Sequence, residues 1–220
     1  MAVDGFDALL TESRAFFRAL QNNNSKEWFE PRKEEFATNI RKPAEFLASL
    51  MAEDLSRLTG AALSPRVFRI HRDVRFSKDK TPYKTWLHMT WQTHPIGPLT
   101  PMLFFGVEPE ATRVGCGIMG LSGPALTRYR ACVDRHGEAL EEAIETAGGV
   151  LSDHMADLLQ KVPRPYTPDH PQGDLLRRKS LIAMRELGPD WMPGARGLIP
   201  ALLAEFKTLI PLRALLAEHL

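Results

Sequence analysis

The sequence predicts an α+β fold: one antiparallel sheet of about four strands from the middle of the chain, packed by N- and C-terminal helices. Near both ends, apolar residues recur every three or four positions, which is typical of amphipathic helices. In the middle of the chain the period changes to two, which is typical of strands with one wet face. Because the strands are clustered and do not alternate with helices, we expect a single domain over residues 1–220.

Three helices are expected in the N-terminal part. Residues Phe6–Leu20 carry apolar side chains at helical spacing. Asn24, with Glu27 three residues later, has the form of a capping box and predicts the start of a second helix. Pro43 fits the first turn of a third helix, and Gly60 fits its C-terminal end.

The predicted strands come from the middle of the chain. Alternating or apolar segments bounded by turn residues predict four of them, the last two as a hairpin. They are Val67–Phe76, Trp86–Gln92, Met102–Val107 and Arg113–Met119. Gly115 and Gly117 in the last strand predict the close approach of another backbone or of a ligand.

The C-terminal part is expected to return to helices. Residues Pro163–Gly173 contain four prolines and predict an irregular loop. Asp174–Leu187 has the pattern of a helix capped by Asp174. Leu198–Leu220 is also expected to be helical, with a bend or break at Pro211.

Composition narrows the class of protein and its compartment. The 220 residues are 44% apolar and 25% charged with a net charge of +1, which is ordinary for a globular domain and disfavours bulk nucleic-acid coating. Cys116 and Cys132 are too few for a secreted disulfide framework, so a reducing cytosol is the expectation. The acidic N-terminus does not resemble a signal peptide, and no apolar run is long enough to cross a membrane. We expect a soluble cytoplasmic protein.

The candidate site is the basic segment Phe68–Thr85, with the sequence FRIHRDVRFSKDKTPYKT. Its six Lys and Arg against two Asp give a local charge of +4, whereas the whole chain carries +1. Clustered guanidinium and ammonium groups on a folded surface predict the binding of an anionic ligand with phosphate or carboxylate groups. The predicted ligand-binding residues are Arg69, His71, Arg72, Asp73, Arg75, Lys78, Lys80, Tyr83 and Lys84.

The competing interpretation of the basic segment is a solvated sheet face on which Asp73 and Asp79 pair with neighbouring arginines. We expect Asp73 to orient an arginine and Tyr83 to be mostly buried in an ordered loop, with at least two lysines exposed. Arg72 has the parity of the apolar strand face, so it is expected to be buried and structural. A buried guanidinium needs a carboxylate, for which Glu27 or Glu30 is the expected partner.

Two further functions stay open at this stage. His71 and Asp73 share one strand face, and His88 on the next strand could join them in a metal- or acid/base-dependent hydrolase. A histidine hydrogen-bonded to its carboxylate neighbour is the favoured interpretation, so no metal is expected. The other alternative is a non-catalytic module for protein or nucleic acid, with nucleic acid less favoured than a small anion. Cofactor, reaction and oligomeric state are not predicted.

Four segments together resemble the conserved hypothetical proteins called domain of unknown function 2461, and the resemblance covers nearly the whole chain. They are NNNSKEWF (Asn22–Phe29), the basic segment, VGCGIM (Val114–Met119) and DLLRRKS (Asp174–Ser180). The chain departs from that pattern at His71, where an aromatic residue is common, and across Trp86–Gln92. The resemblance implies one full-length domain and points to the same polar residues, but it implies no reaction.

Overall fold

The computed structural model describes residues 5–152, 158–188, 191 and 197–220. Its α-helices are α1 Asp7–Asn22, α2 Lys26–Phe29, α3 Lys33–Phe36, α4 Lys42–Thr59, α5 Gly123–Thr146, α6 Gly173–Arg177, α7 Leu198–Lys207 and α8 Ile210–His219. Its strands are β1 Leu63–Val67, β2 Leu87–Thr93, β3 Met102–Val107, β4 Thr112–Ile118, β5 Val150–Leu151 and β6 Leu181–Glu186. The predicted α+β class is confirmed.

The described strands form one sheet in the order β1-β2-β3-β4-β6-β5, with every neighbouring pair antiparallel. The sheet therefore has six strands, against about four predicted. The predicted hairpin is confirmed as β3 and β4, which pair with each other. The strands that sequence reasoning missed, β5 and β6, come from the C-terminal half of the chain.

One face of the sheet is packed by helices. Trp91 of β2 is fully buried there; its indole Nε1 donates to the Ala48 carbonyl of α4 at 2.8 Å, and its ring lies 5.5 Å from that of Phe206 in α7. Cys116 of β4 and Ala183 of β6, which face each other in the register, are also fully buried. Helices from both ends of the chain therefore contribute to one core, as predicted.

The opposite face of the sheet is partly wet. The register places His88 of β2 beside Gly106 of β3, and Gly106 beside Arg113 of β4, which in turn faces Glu186 of β6. His88 and Arg113 are half-buried and Glu186 is exposed. Polar side chains from three strands, β2, β4 and β6, therefore lie along this face, and the candidate site adjoins its β2 end.

The N-terminal helices pack through aromatic rings. Phe16 of α1 contacts Phe29 and Phe36, with ring centroids 6.3 and 5.4 Å apart. The start of α2 differs from the prediction: the Trp28 amide donates to Ser25 Oγ at 3.3 Å, so Ser25 is the cap residue instead of Asn24. The third predicted helix is confirmed as α4, which ends at Gly60 in a left-handed conformation.

The predicted strand Val67–Phe76 is wrong, because β1 covers Leu63–Val67 and residues 68–76 form no regular strand. Local side-chain bonds take the place of a strand ladder: the Arg75 amide donates to Asp73 Oδ1 at 3.3 Å, and the Thr81 amide donates to Asp79 Oδ1 at 2.9 Å. Aspartate favours such turns over extended pairing. Phe76, expected on an apolar face, is 96% exposed.

The predicted helix Asp174–Leu187 is also wrong beyond its first turn. The chain forms α6 and then enters β6, where Leu181 and Ala183 are fully buried against β4. A Cβ atom added at Gly117 would lie 1.9 Å from the Leu181 carbonyl oxygen. The close backbone approach predicted from the glycines of β4 is therefore confirmed, and β6 is the strand that makes it.

The remaining C-terminal predictions agree with the structure. Residues 163–173 are almost entirely irregular, with only Gly173 helical, at the start of α6. The helical region after Leu198 is divided into α7 and α8, and Pro211 lies in the first turn of α8. None of the helices in the described part of the chain is long and apolar enough to span a membrane.

Candidate functional site

The basic segment folds back on itself as an ordered loop between β1 and β2; we call residues 68–86 the basic loop. An isolated bridge joins His71 to Tyr83. Backbone bonds flank that bridge: the Arg72 amide donates to the Pro82 carbonyl at 2.8 Å, and the Lys84 amide donates to the Ile70 carbonyl at 2.7 Å. The predicted order of this loop therefore comes from its own backbone.

Tyr83 anchors the basic loop to the N-terminal helices. It is buried, as predicted, with 3% of its surface exposed, and its ring centroid lies 4.3 Å from that of Phe29. Burial, with Glu30 and Glu27 nearby, raises the pKa of Tyr83. The side chain of Asn24 hydrogen-bonds the backbone of Tyr83 on both sides. The loop is thus fixed to the N-terminal helices at Tyr83, in the part that leads into β2.

Arg72 is paired, but its partner is not the one predicted. Its guanidinium donates to Asp79 and to Thr81, both within the basic loop, instead of to Glu27 or Glu30. The prediction failed because it assumed strand parity, and the loop turns here instead. Hydrogen bonds from Thr81 and then from Arg72 lower the pKa of Asp79 to about 2.

Asp73 orients an arginine, as predicted. Its two oxygens accept from Arg75 Nε at 2.9 Å and from the Arg75 terminal nitrogen at 2.7 Å. These bonds lower the pKa of Asp73. The pair is exposed, so it contributes little to stability and mainly neutralises both partners.

The other cations of the basic loop have different surroundings. Lys80 Nζ donates to the Val74 carbonyl at 3.0 Å, and Lys78 is exposed. Lys84 Nζ donates to the Arg69 carbonyl at 3.0 Å, and Arg69 itself is exposed. None of these four has a carboxylate partner among the residues described, so only two of the six predicted cations are neutralised by ion pairs.

Lys84 stands in a cluster of cations and aromatic rings. Its ammonium group lies 4.8 Å from the centroid of the Trp86 ring and 5.5 Å from that of Phe68, and the guanidinium of Arg66 lies 4.8 Å from the same Phe68 ring. Burial, followed by the charges of Arg69 and Arg66, lowers the pKa of Lys84. We call Arg66, Arg69 and Lys84 the Lys84 cluster.

A cleft of about 560 Å³ opens beside this cluster. It is lined by Gln21, Asn24, Arg72, Asp73, Asp79, Thr81, Tyr83, Lys84, Thr85 and Trp86. Its two lining aspartates balance its two lining cations in formal charge. Because Arg72 is paired with Asp79, and Asp73 with Arg75, Lys84 is the lining charge that keeps no carboxylate partner within the described ranges.

A charged network on the wet sheet face adjoins the cleft. Trp86 stacks on His88 with centroids 3.6 Å apart, and His88 Nε2 lies 3.6 Å from Glu108 Oε1. Burial lowers the pKa of His88, despite the nearby carboxylate. His88 and then Arg113, which donates to Glu108, lower the pKa of Glu108 to about 2. The network thus places the Glu108 carboxylate between the Arg113 guanidinium and the buried His88 ring.

The structure does not bring together His71, Asp73 and His88, the group considered as the alternative metal or acid/base site. His71 bridges Tyr83, Asp73 pairs with Arg75, and His88 lies under Trp86. In residues 5–152, 158–188, 191 and 197–220, no three His, Cys, Asp or Glu side chains are grouped as metal ligands. The assumed strand face, which would have aligned His71 with Asp73, does not form.

Sequence reasoning missed several residues around the cleft. Gln21 and Thr85 line it, and Arg66 belongs to the Lys84 cluster although it precedes the basic segment. Glu108 and Arg113 have no local signal, because only the pairing of β2, β3 and β4 brings them to His88. The predicted hairpin over β3 and β4 was the one feature that could have placed Glu108 near Arg113.

The fold and the cleft define an α+β protein with a cleft beside the edge of an antiparallel sheet, in which Lys84 is the lining charge without a carboxylate partner among the described residues. The chain belongs to the family described as conserved hypothetical protein (DUF2461), whose model matches residues 12–214. The resemblance noted in the sequence is therefore confirmed over most of the chain. No curated protein matches the chain. The family description names no activity, so function has to be argued from the site.

Proposed function

We propose that the protein binds a ligand bearing phosphate or carboxylate groups in the cleft, with Lys84 as the central cation. The observation that carries the proposal is the Lys84 cluster. Its cations lie close enough for Arg69 and Arg66 to lower the pKa of Lys84, and none of the three forms an ion pair with a carboxylate among the described residues. The charge of Arg69 reaches Asp73 only at longer range, where it contributes to the lowered pKa of that carboxyl group. A bound anion would relieve this repulsion and complete charge-assisted hydrogen bonds.

The other predicted site residues have supporting roles in this proposal. Arg72, Asp73 and Tyr83 line the cleft, and each is held by a partner within the loop or by the helices. Arg75 does not line the cleft, and its role is to hold Asp73. His71 contributes through its bridge to Tyr83. Lys78 and Lys80 are exposed and add to the local positive potential without lining the cleft.

The proposal includes the compartment and the domain organisation. Cys116 and Cys132 are both free and buried, which is compatible with a reducing cytoplasm. We treat residues 1–220 as one domain. A hydrolytic function has less support, because the His88 ring is enclosed by Trp86 and Phe104 and its Nε2 atom is buried. The proposal is therefore one of binding.

The test compares two lysines of the same loop. Thermal shift and titration calorimetry would use inorganic phosphate, nucleoside phosphates, sugar phosphates and dicarboxylates. We expect at least one to stabilise the protein, with weaker binding at higher salt because exposed charges are screened over ~8 Å at physiological ionic strength. Lys84→Gln should weaken binding by about tenfold or more, the usual weight of a charge-assisted hydrogen bond.

Lys78→Gln is the matched control, since Lys78 is exposed in the same loop and does not line the cleft. For the small anions of this panel, which fit within the cleft, it should change affinity by less than about threefold, through the long-range field alone. Equal affinities of the two variants would remove Lys84 from the site. No response to any of the anions would overturn the binding proposal.

A further inference from the structure

Phe76 is an aromatic ring presented almost wholly to solvent. It is 96% exposed at the turn between Asp73 and Asp79. Single exposed apolar residues are common on protein surfaces and need no function by themselves. Phe76 differs because the backbone that carries it is braced: Lys80 Nζ donates to the Val74 and Arg75 carbonyls across the turn. The ring is therefore displayed on an ordered element.

Cations are close to this ring in space or in sequence. The Arg75 guanidinium lies 5.9 Å from the centroid of the Phe76 ring. Lys78 and Lys80, which follow Phe76 in the chain, are exposed. Arg75 is neutralised by Asp73, whereas the two lysines have no carboxylate partner within the described part of the chain. The turn thus combines one free aromatic face with two free positive charges.

The turn adjoins the cleft. Asp73 and Asp79 line the cleft, and Phe76 is three residues from each of them. Three residues of extended chain span at most about 11 Å, so the Cα of Phe76 lies within that distance of the Cα atoms of two residues that line the cleft. One extended ligand can therefore reach both the Lys84 cluster and Phe76.

We propose that the anionic ligand is a single-stranded nucleic acid, with a base stacked on Phe76 and phosphates at the Lys84 cluster, Lys78 and Lys80. The inference rests on the proposed function and names its ligand class. Rings interleaved with cations along an open groove are the usual basis of single-strand binding, because every base has a face that can stack. One ring and two lysines are too few for a stable lipid anchor.

The test measures fluorescence anisotropy of labelled single strands of about twelve nucleotides, within the usual site size of one small domain. Phe76→Ala should weaken binding about fivefold or more, the effect of losing one stacked base. Phe76→Trp should retain binding. Phe46→Ala is the control, since Phe46 is 60% exposed on α4 and lies outside the basic loop.

A blunt duplex of the same sequence, polyglutamate and anionic phospholipid vesicles complete the panel. Weaker binding of Phe76→Ala to single strands alone supports the inference. Equal affinity for duplex or polyglutamate, or vesicle binding that depends on Phe76, overturns it. If inorganic phosphate binds through Lys84 while single strands gain nothing from Phe76, the inference fails and the proposed function stands. If single strands bind through Phe76 independently of Lys84, the placement of phosphates at the Lys84 cluster is wrong, and the proposed cleft function fails together with this inference.

Discussion

The side-chain amide of Asn24 pairs with the backbone of Tyr83 in both directions. Asn24 Nδ2 donates to the Tyr83 carbonyl at 2.9 Å, and Asn24 Oδ1 accepts from the Tyr83 amide at 3.1 Å. One side chain thereby satisfies two partly buried backbone groups, as a neighbouring strand would. Because both residues line the cleft, this pairing joins the N-terminal helices to the candidate site.

Asn24→Ala should lower the free energy of unfolding by about 1–3 kcal/mol, since it leaves the Tyr83 amide and carbonyl without their partner. The measurement is urea denaturation followed by circular dichroism. Asn22→Ala, at an exposed position two residues earlier, is the control and should stay within about 0.5 kcal/mol of wild type. An unchanged midpoint for Asn24→Ala would show that water replaces the amide.

Gly117→Ala should strongly destabilise the protein, because the new Cβ atom would lie 1.9 Å from the Leu181 carbonyl oxygen and 2.7 Å from the Ile182 Cα. Backbone atoms cannot yield as a flexible side chain can, so β4 and β6 must separate. Gly97→Ala is the control, since its nearest neighbour would be Thr100 Oγ1 at 3.7 Å. Thermal melts should separate the variants clearly, and similar melting temperatures would contradict the β4–β6 register.

Arg213→Met should raise stability by about 1–4 kcal/mol, as replacement of buried charges by apolar residues does elsewhere. Arg213 of α8 is 4% exposed, and within the described residues its side chain makes no hydrogen bond or ion pair. Burial lowers the pKa of Arg213, with the Cys116 thiol beside it. Arg128→Met, at an exposed position in α5, should be neutral. A lower melting temperature for Arg213→Met would contradict this expectation and show that the buried guanidinium stabilises the fold.

Glu108→Gln should remove a pH-dependent part of the stability. The pKa of Glu108 is lowered to about 2, so its contribution is complete above the ordinary pKa of a glutamate and is lost as pH falls toward 2. Allowing for solvent screening, we expect a loss of roughly 1–2 kcal/mol at pH 7. Urea denaturation between pH 7 and pH 2 should show wild type and variant converging. Glu110→Gln, at an exposed position, should show no such convergence.

Binding of phosphate should weaken at high pH. Because the pKa of Lys84 is lowered, this lysine loses its charge at a lower pH than an exposed lysine does. Calorimetric titrations between pH 8 and pH 10.5 should therefore show a progressive loss of affinity in wild type, while phosphate keeps its own charge. Lys84→Arg should retain affinity over the same range, since guanidinium stays protonated. A flat wild-type profile would exclude Lys84 as the binding cation.

The features that could be predicted correctly from the sequence have a local physical cause. The helices α1 and α4 follow from apolar spacing, and the end of α4 at Gly60 follows from the left-handed conformation that glycine adopts readily. The hairpin of β3 and β4 follows from two apolar segments around a turn. The charge of the basic segment and the motifs by which the chain resembles its family are likewise local, because they depend only on neighbouring residues.

Which residues contact one another depends on the tertiary structure. Leu181–Glu186 is a strand because it pairs with β4, whose glycines allow its backbone to approach closely, although the segment alone has a helical pattern. Arg72 hydrogen-bonds Asp79 because the loop turns between them, and Glu108 lies near His88 because of the sheet register. Both the turn and the register depend on the whole chain. Local periodicity reflects the geometry of one segment, whereas ion pairs, burial and pKa depend on distances across elements, which no single segment contains.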